Sequence, residues 1–283
     1  MSKKKDGQAE EKEMSFLDHL EELRWHVIRS FLVITIISVV LFLYPEILFK
    51  NILFAPTTTD FWTFKKLCQL GTYFNSDILC FNEFPFELQS RKMMGQFMMH
   101  IVASLVGGFI ISFPYVFWEF WRFIAPGLYS HEKQVSRGAV FFVSLLFSSG
   151  VLFGYYIVTP IAVQFFANYS VFEGVQNQFD ITNYVSTIVI LVMGSGLLFQ
   201  LPIVTYFLSK IGLVTPELMR KYRRHSIVVI FILAAVITPP DPFTQIFVGV
   251  PLIGLYQISI FISGWVRRRE AKRNKLKTED NAE

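Results

Sequence analysis

The chain has 283 residues, of which 53% are hydrophobic, 17% aromatic and only 17% charged, and its mean hydropathy is +0.44. Thirty-one phenylalanines are more than one soluble core of this size needs, and the charged fraction lies below the usual quarter; the long apolar runs, not composition alone, point to a polytopic membrane protein. The net charge of +4 reports the placement of Lys and Arg relative to a membrane, not a nucleic-acid surface.

Residues 1–14 are Lys, Glu and Gln with no apolar cluster, and read as a disordered tail. No cleavable signal peptide is visible, and Glu10, Glu11 and Glu13 argue against an organellar transit peptide. Ser15 offers a helix N-cap with Asp18 three residues on, and Phe16, Leu20, Leu23 and Val27 form one apolar stripe. An amphipathic helix is therefore expected to start at the membrane surface and run into a first span over His26–Phe49. Pro45 and Pro56 bracket the exit, and a long loop over residues 50–93 follows. Cys68 and Cys80 lie in it; a disulfide and two free thiols packed among phenylalanines both fit.

Further apolar runs cover Met94–Phe117, Gly138–Phe166, Tyr184–Leu208, Ser226–Ile237 and Phe243–Ile262. Their length, and the need to satisfy every backbone group in lipid, make them helices. The expected architecture is an all-α polytopic membrane protein with six transmembrane helices, a single membrane domain over 15–265 and a basic tail over 266–283. Pro114, Pro160, Pro202 and Pro251 fall inside spans and predict kinks, whereas Gly107, Gly108, Gly150, Gly154, Gly194 and Gly196 predict close helix packing. The fifth run is short. Twelve residues of helix reach about 18 Å against a hydrocarbon core of about 30 Å. It ends at a rigid charged tip, Thr238-Pro239-Pro240-Asp241-Pro242-Phe243.

With the N-terminus inside, 21 of the 26 Lys and Arg lie on the cytoplasmic side and the other five in the first outside loop, so both termini are expected in the cytoplasm. Two acids on that side stand out. Glu22 shares a helix face with Asp18, and such like-charged neighbours at helical spacing welcome an external cation; Arg24 offsets only part of the repulsion. Glu132 follows an aromatic stretch, Phe117 to Phe123, expected to form a short interfacial helix before a turn at Pro126-Gly127. Two fixed carboxylates can each hold a guanidinium bidentately, which Lys does not match. Within the spans only His100 and Gln200 are conspicuously polar. His100 lacks an acidic partner and reads as packing; Gln200 needs a partner from its own chain or from another subunit.

Three separated segments, Phe16-Leu17-Asp18-His19-Leu20-Glu21-Glu22-Leu23-Arg24, Phe123-Ile124-Ala125-Pro126-Gly127-Leu128-Tyr129-Ser130-His131-Glu132 and Thr238-Pro239-Pro240-Asp241, resemble the TatC family, the multispanning component of the twin-arginine protein translocase. The resemblance covers residues 15–265. It implies a cupped six-helix bundle with short fifth and sixth helices in the bacterial cytoplasmic membrane. It also implies a receptor for the Arg-Arg signal peptides of folded proteins, exported with the proton-motive force. Glu22 and Glu132 fall on the glutamates that read the twin arginines, Arg24 on the arginine beside the first, and Phe123 on an aromatic of signal recognition. Pro56 falls on the proline after the first span and Asp241 on the acid at the last tip. Gln200 stands where many members carry Glu; the amide can bond a small single-span subunit of the TatA or TatB type but carries no charge. The implied partners are signal peptides, those subunits, lipid and further copies of the chain, with no cofactor, metal or nucleic acid and no enzymatic activity. The rival reading, an ion-coupled small-molecule transporter, requires charged groups near the bilayer midplane.

Overall fold

The computed structural model describes residues 16–73, 80, 86–124, 133–172, 177–238 and 242–280. The Ser15 cap, the Pro126-Gly127 turn, Glu132 and Asp241 lie outside them. In chain order the elements are α1 (Phe16–Leu43), a π-helical segment π1 (Glu46–Leu53), a 3₁₀ turn (Ala55–Thr57), α2 (Trp62–Tyr73), β1 (Glu87–Gln89), α3 (Gly95–Ile124) and α4 (Lys133–Phe153). There follow a second π-helical segment π2 (Gly154–Val158), α5 (Thr159–Asn168), β2 (Gln178–Asp180), α6 (Ile181–Leu198), α7 (Leu201–Lys210), α8 (Pro216–Lys221), α9 (Arg223–Ile237) and α10 (Pro242–Asp280).

Among the described residues, five helical stretches are long and apolar enough to cross a membrane: Glu21–Leu43, Gly95–Ile124, Val140–Asn168, Ile181–Lys210 and Thr244–Arg269. The fifth apolar run is the short one foreseen, since α9 has 15 residues and reaches about 22 Å. The sixth is not short: it opens a 39-residue helix that carries the basic tail as a continuation. Arg, Lys, Glu and Ala are all good helix formers, so the tail continues α10 where its charge alone suggested a break. The expected interfacial helix after Phe117 is likewise absent as a separate element, because α3 runs unbroken to Ile124 despite Pro114.

Two other prolines do break their spans. Pro202 has no N–H to give the Leu198 carbonyl, and α6 ends at Leu198 before α7 resumes at Leu201. Pro160 cannot bond Tyr156, and π2 precedes it; the Tyr156 carbonyl accepts from the Thr63 hydroxyl of α2 at 2.5 Å. A hydroxyl that meets a freed carbonyl is how a proline becomes tolerable in a span.

The glycines sit where helices approach. A Cβ on Gly108 would lie 2.1 Å from Ser38 Oγ, one on Gly150 2.7 Å from the Ser195 carbonyl oxygen, and one on Gly194 2.3 Å from Ile237. These draw α3 onto α1, α4 onto α6 and α6 onto α9. Around them Val158, Leu191, Ile230, Ala234, Val248 and Leu252 form one buried cluster. Phe113 stacks on Phe147 with ring centroids 3.6 Å apart in another.

The described residues of the 50–93 segment are structured. Cys68 and Cys80 are bridged, β1 pairs in parallel with β2, and Phe61 stacks on Tyr156. Pro56 is fully buried beneath this cap, where Tyr155 and Tyr184 donate to the Ile52 and Leu53 carbonyls at 2.8 Å each. A cross-link closing about a dozen residues stabilises by about 3 kcal/mol. Reducing it, or replacing both cysteines by serine, is expected to expose the 50–93 segment to limited proteolysis while the spans stay protected.

Asp180 ties the segment before α3 to the start of α6. It caps α6 by accepting from Thr182 N–H at 2.8 Å and also accepts from the Thr182 hydroxyl and from Arg91 N–H at 3.0 Å. Those donors, the Thr182 hydroxyl first, hold its carboxyl below the usual carboxylate range. A depressed folded value means that its stabilisation is complete above the unfolded value of about 4 and is lost as pH falls through the folded one. Thermal unfolding scanned against pH is therefore expected to show a smaller loss of Tm below about pH 4 in Asp180→Asn than in the parent chain.

Candidate functional site

At the end of the bundle that carries the N-terminal turns of α1, the C-terminal turns of α3 lie against them. Trp121 of α3 contacts Phe207 of α7 with ring centroids 5.2 Å apart, and Ser209 donates to Ser263 of α10 at 2.8 Å. Glu217 of α8 pairs with Arg267. Lys210, Arg220, Lys221, Arg223 and Arg224 thus share this end with Glu22.

Glu22 is part-exposed, its side chain at 40%, and faces the α1–α3 seam. One helical turn on, His26 is buried, with Nε2 3.9 Å from Glu22 Oε1 and Nδ1 2.5 Å from Glu119 Oε2 on α3. Glu119 is 1% exposed. Its other oxygen accepts from the Tyr115 hydroxyl at 2.9 Å and lies 3.9 Å from Arg122, whose guanidinium stacks over Trp118 at 4.9 Å. The Phe123 ring lies 6.3 Å from His26. Glu22 and Phe123 thus both neighbour the His26 ring, while Arg24, on another face of α1, is exposed.

Glu119 and His26 are the functional candidates that sequence reasoning missed. The signal was a carboxylate inside an aromatic run, Phe117-Trp118-Glu119-Phe120-Trp121, where a buried acid needs partners. His100 conforms to the packing reading: it stacks on Phe42 with centroids 4.0 Å apart and meets Phe49 edge-on, while Nε2 has no hydrogen-bond partner.

Gln200 sits at the break between α6 and α7. Its Nε2 donates to the Val143 carbonyl of α4 at 3.1 Å, so half of the amide is satisfied within the chain. Its Oε1 is buried without a partner. A buried acceptor left without a partner is costly in a membrane span.

The sequence profile of the family described as Sec-independent protein translocase protein (TatC) matches residues 18–251. The protein of that name from Blattabacterium sp. subsp. Periplaneta americana (strain BPLAN) is 40% identical over 263 residues, covering 92% of this chain and 99% of its own length. The one from Aquifex aeolicus (strain VF5) is 33% identical over 258 residues, covering 91% and 98%. A crystal structure of the twin-arginine translocase receptor TatC in DDM superposes with a TM-score of 0.68 at 33% identity, covering 87% of this chain and 99% of that one. With matches that run nearly end to end, the chain belongs to the TatC family, and it is a polytopic helical membrane protein and a component of the twin-arginine protein translocase.

Proposed function

We propose that this chain is the receptor and core subunit of its translocase, binding Arg-Arg signal peptides at the cytoplasmic face of a bacterial inner membrane for proton-motive-force-driven export. The observation that carries this is the part-exposed Glu22 carboxylate at the α1–α3 seam, next to His26, whose ring also neighbours Phe123. A carboxylate fixed against a helix seam offers both oxygens to a planar guanidinium, and Glu132, a few residues beyond Phe123, supplies the second. The signal's apolar stretch then lies along the helices in lipid.

The Lys and Arg distribution supports six spans with both termini inside, with α9 as the short fifth. The unpartnered Gln200 Oε1 supports a contact there with a small single-span subunit of the TatA or TatB type, and further copies of the chain complete the receptor complex. Asp241 is the acid in the sequence between the fifth and sixth spans, and Arg24 balances the acidic face of α1. The transporter reading is not supported: the buried charges gather at one end of the bundle, and at Gln200 the chain offers an amide.

Photocrosslinking from positions 22 and 132 to a twin-arginine peptide tests the proposal. Labelling is expected to be lost with a Lys-Lys peptide, and Glu22→Ala is expected to weaken binding by about tenfold or more, as for removal of a charge-assisted pair. Equal labelling by both peptides would return Glu22 and Glu132 to ordinary surface charge.

A further inference from the structure

Glu119 is buried inside the last turns of α3, which a membrane-spanning helix does not tolerate without compensation. The compensation comes from both helices: Tyr115 and Arg122 from α3, and His26 from α1, 93 residues away in sequence. With Glu119 ionised, the 2.5 Å contact is Nδ1–H of His26 donating to the carboxylate. The pull on Glu22 belongs to the imidazolium form, in which Nε2 carries a proton as well. Nε2 faces Glu22, in ion-pair range at 3.9 Å but beyond a hydrogen bond. Phe123 lies against the same ring.

We propose that His26, anchored by Glu119, is the positioning residue that sets the direction of the Glu22 carboxylate and thereby its preference for guanidinium over ammonium. Glutamate on an exposed helix face samples several rotamers, and only one that points along the seam presents both oxygens to a planar fork. The buried carboxylate fixes the ring, and the imidazolium biases Glu22 towards the seam. The logic is that of the hydrogen-bond partners behind a metal ligand, which orient it without touching the metal. Because the contact with Glu22 is electrostatic and long, an incoming guanidinium displaces it without breaking a hydrogen bond. The inference rests on the receptor reading above.

The test is the ratio of affinities of the full-length, detergent-solubilised protein for matched Arg-Arg and Lys-Lys signal peptides, read by fluorescence anisotropy. Glu119→Gln keeps the shape and one acceptor but removes the charge that anchors His26. It is expected to lower the Arg-Arg to Lys-Lys ratio by about tenfold. The same substitution in a Glu22→Ala background is expected to change the ratio no further, because its effect runs through Glu22. A merely structural Glu119 would weaken both peptides alike and leave the ratio unmoved, which would overturn the proposal, as would an equal loss in the Glu22→Ala background. If Glu119→Gln proves unfolded, His26→Gln and His26→Arg decide: Arg keeps a cation between the two carboxylates and is expected to retain the preference that Gln loses, and equal ratios in the two overturn the proposal. Failure of the receptor reading is separately visible, since the parent chain would then show no Arg-Arg preference.

Discussion

Gly108→Val is expected to lower the apparent Tm in a fixed detergent by roughly 5–10 °C. A Cβ at this position would stand 2.1 Å from Ser38 Oγ and 2.9 and 3.0 Å from the Ser38 nitrogen and Cα. The hydroxyl can rotate away, but the backbone cannot, so any side chain forces α1 and α3 apart. Gly107 packs the same seam, where an added Cβ would lie 2.8 Å from Leu41 Cδ1. In lipid no hydrophobic effect pulls helices together, and close approach with its dispersion contacts is what joins them. The loss extends beyond stability: α1 carries Glu22 and His26, and a splayed seam separates His26 from Glu119. Arg-Arg peptide binding is therefore expected to fall together with Tm. Gly254→Ala is the matched control, with nothing within 4 Å of its added Cβ. Removing a helical glycine there is expected to be neutral or stabilising by up to about 1 kcal/mol. A Gly108→Val protein as stable as its parent would mean that α1 does not pack at this distance.

The five long spans, the breaks at Pro160 and Pro202 and the glycine contacts were legible because each is a local demand of the chain on its solvent. Twenty apolar residues must be helix in lipid, and a proline must leave a carbonyl unbonded. A glycine pair inside a span admits a neighbouring backbone. The length of α9 could be counted directly. What could not be read depends on pairing across distance. Cys68 and Cys80 were compatible with a bridge or with free thiols, because only the fold of α2 brings the sulfurs together. The pairing of β1 with β2 joins segments about 90 residues apart and carries no alternating pattern in three residues. The length of α10 was missed for another reason, since a charged tail reads as solvated whether or not it is helical.

The candidate site divides along the same line. Glu22 stood out because its like-charged neighbours are adjacent on one helix. Glu119 did not, because a single acid amid aromatics at the end of a span reads as interfacial, and only packing reveals that it is enclosed. His26 looked like the edge of an apolar run until α3 was placed beside it. The residues proposed to touch a ligand announce themselves by exposed chemistry, whereas those proposed to orient them are visible only once helices distant in sequence are laid together.

Extending α9 by one turn, with four apolar residues inserted between His225 and Ser226, is expected to reduce export of a folded Arg-Arg reporter by about tenfold or more while leaving peptide binding intact. The insertion point keeps the packed half of the helix in place. Ile230 and Ala234 stay buried, Ile237 stays against Gly194 and Phe231 against Gly249, and Gln245 still reaches the Phe231 carbonyl. What changes is reach. The helix measures about 22 Å and its apolar part about 18 Å, so as a span it must thin the bilayer, draw in its flanks or lean on its neighbours. One added turn removes about 5.4 Å of that mismatch, which at a fraction of a kcal/mol per Å amounts to about 1–3 kcal/mol. If thinning next to α9 lowers the barrier for passage of a folded domain, restoring full thickness raises that barrier by a similar amount, about a factor of ten in rate or more. The separation of binding from export is the decisive readout. A protein that still prefers Arg-Arg peptides but no longer exports places the short helix in the translocation step. Unchanged export would mean that neighbouring helices already absorb the mismatch and that the brevity of α9 serves packing alone.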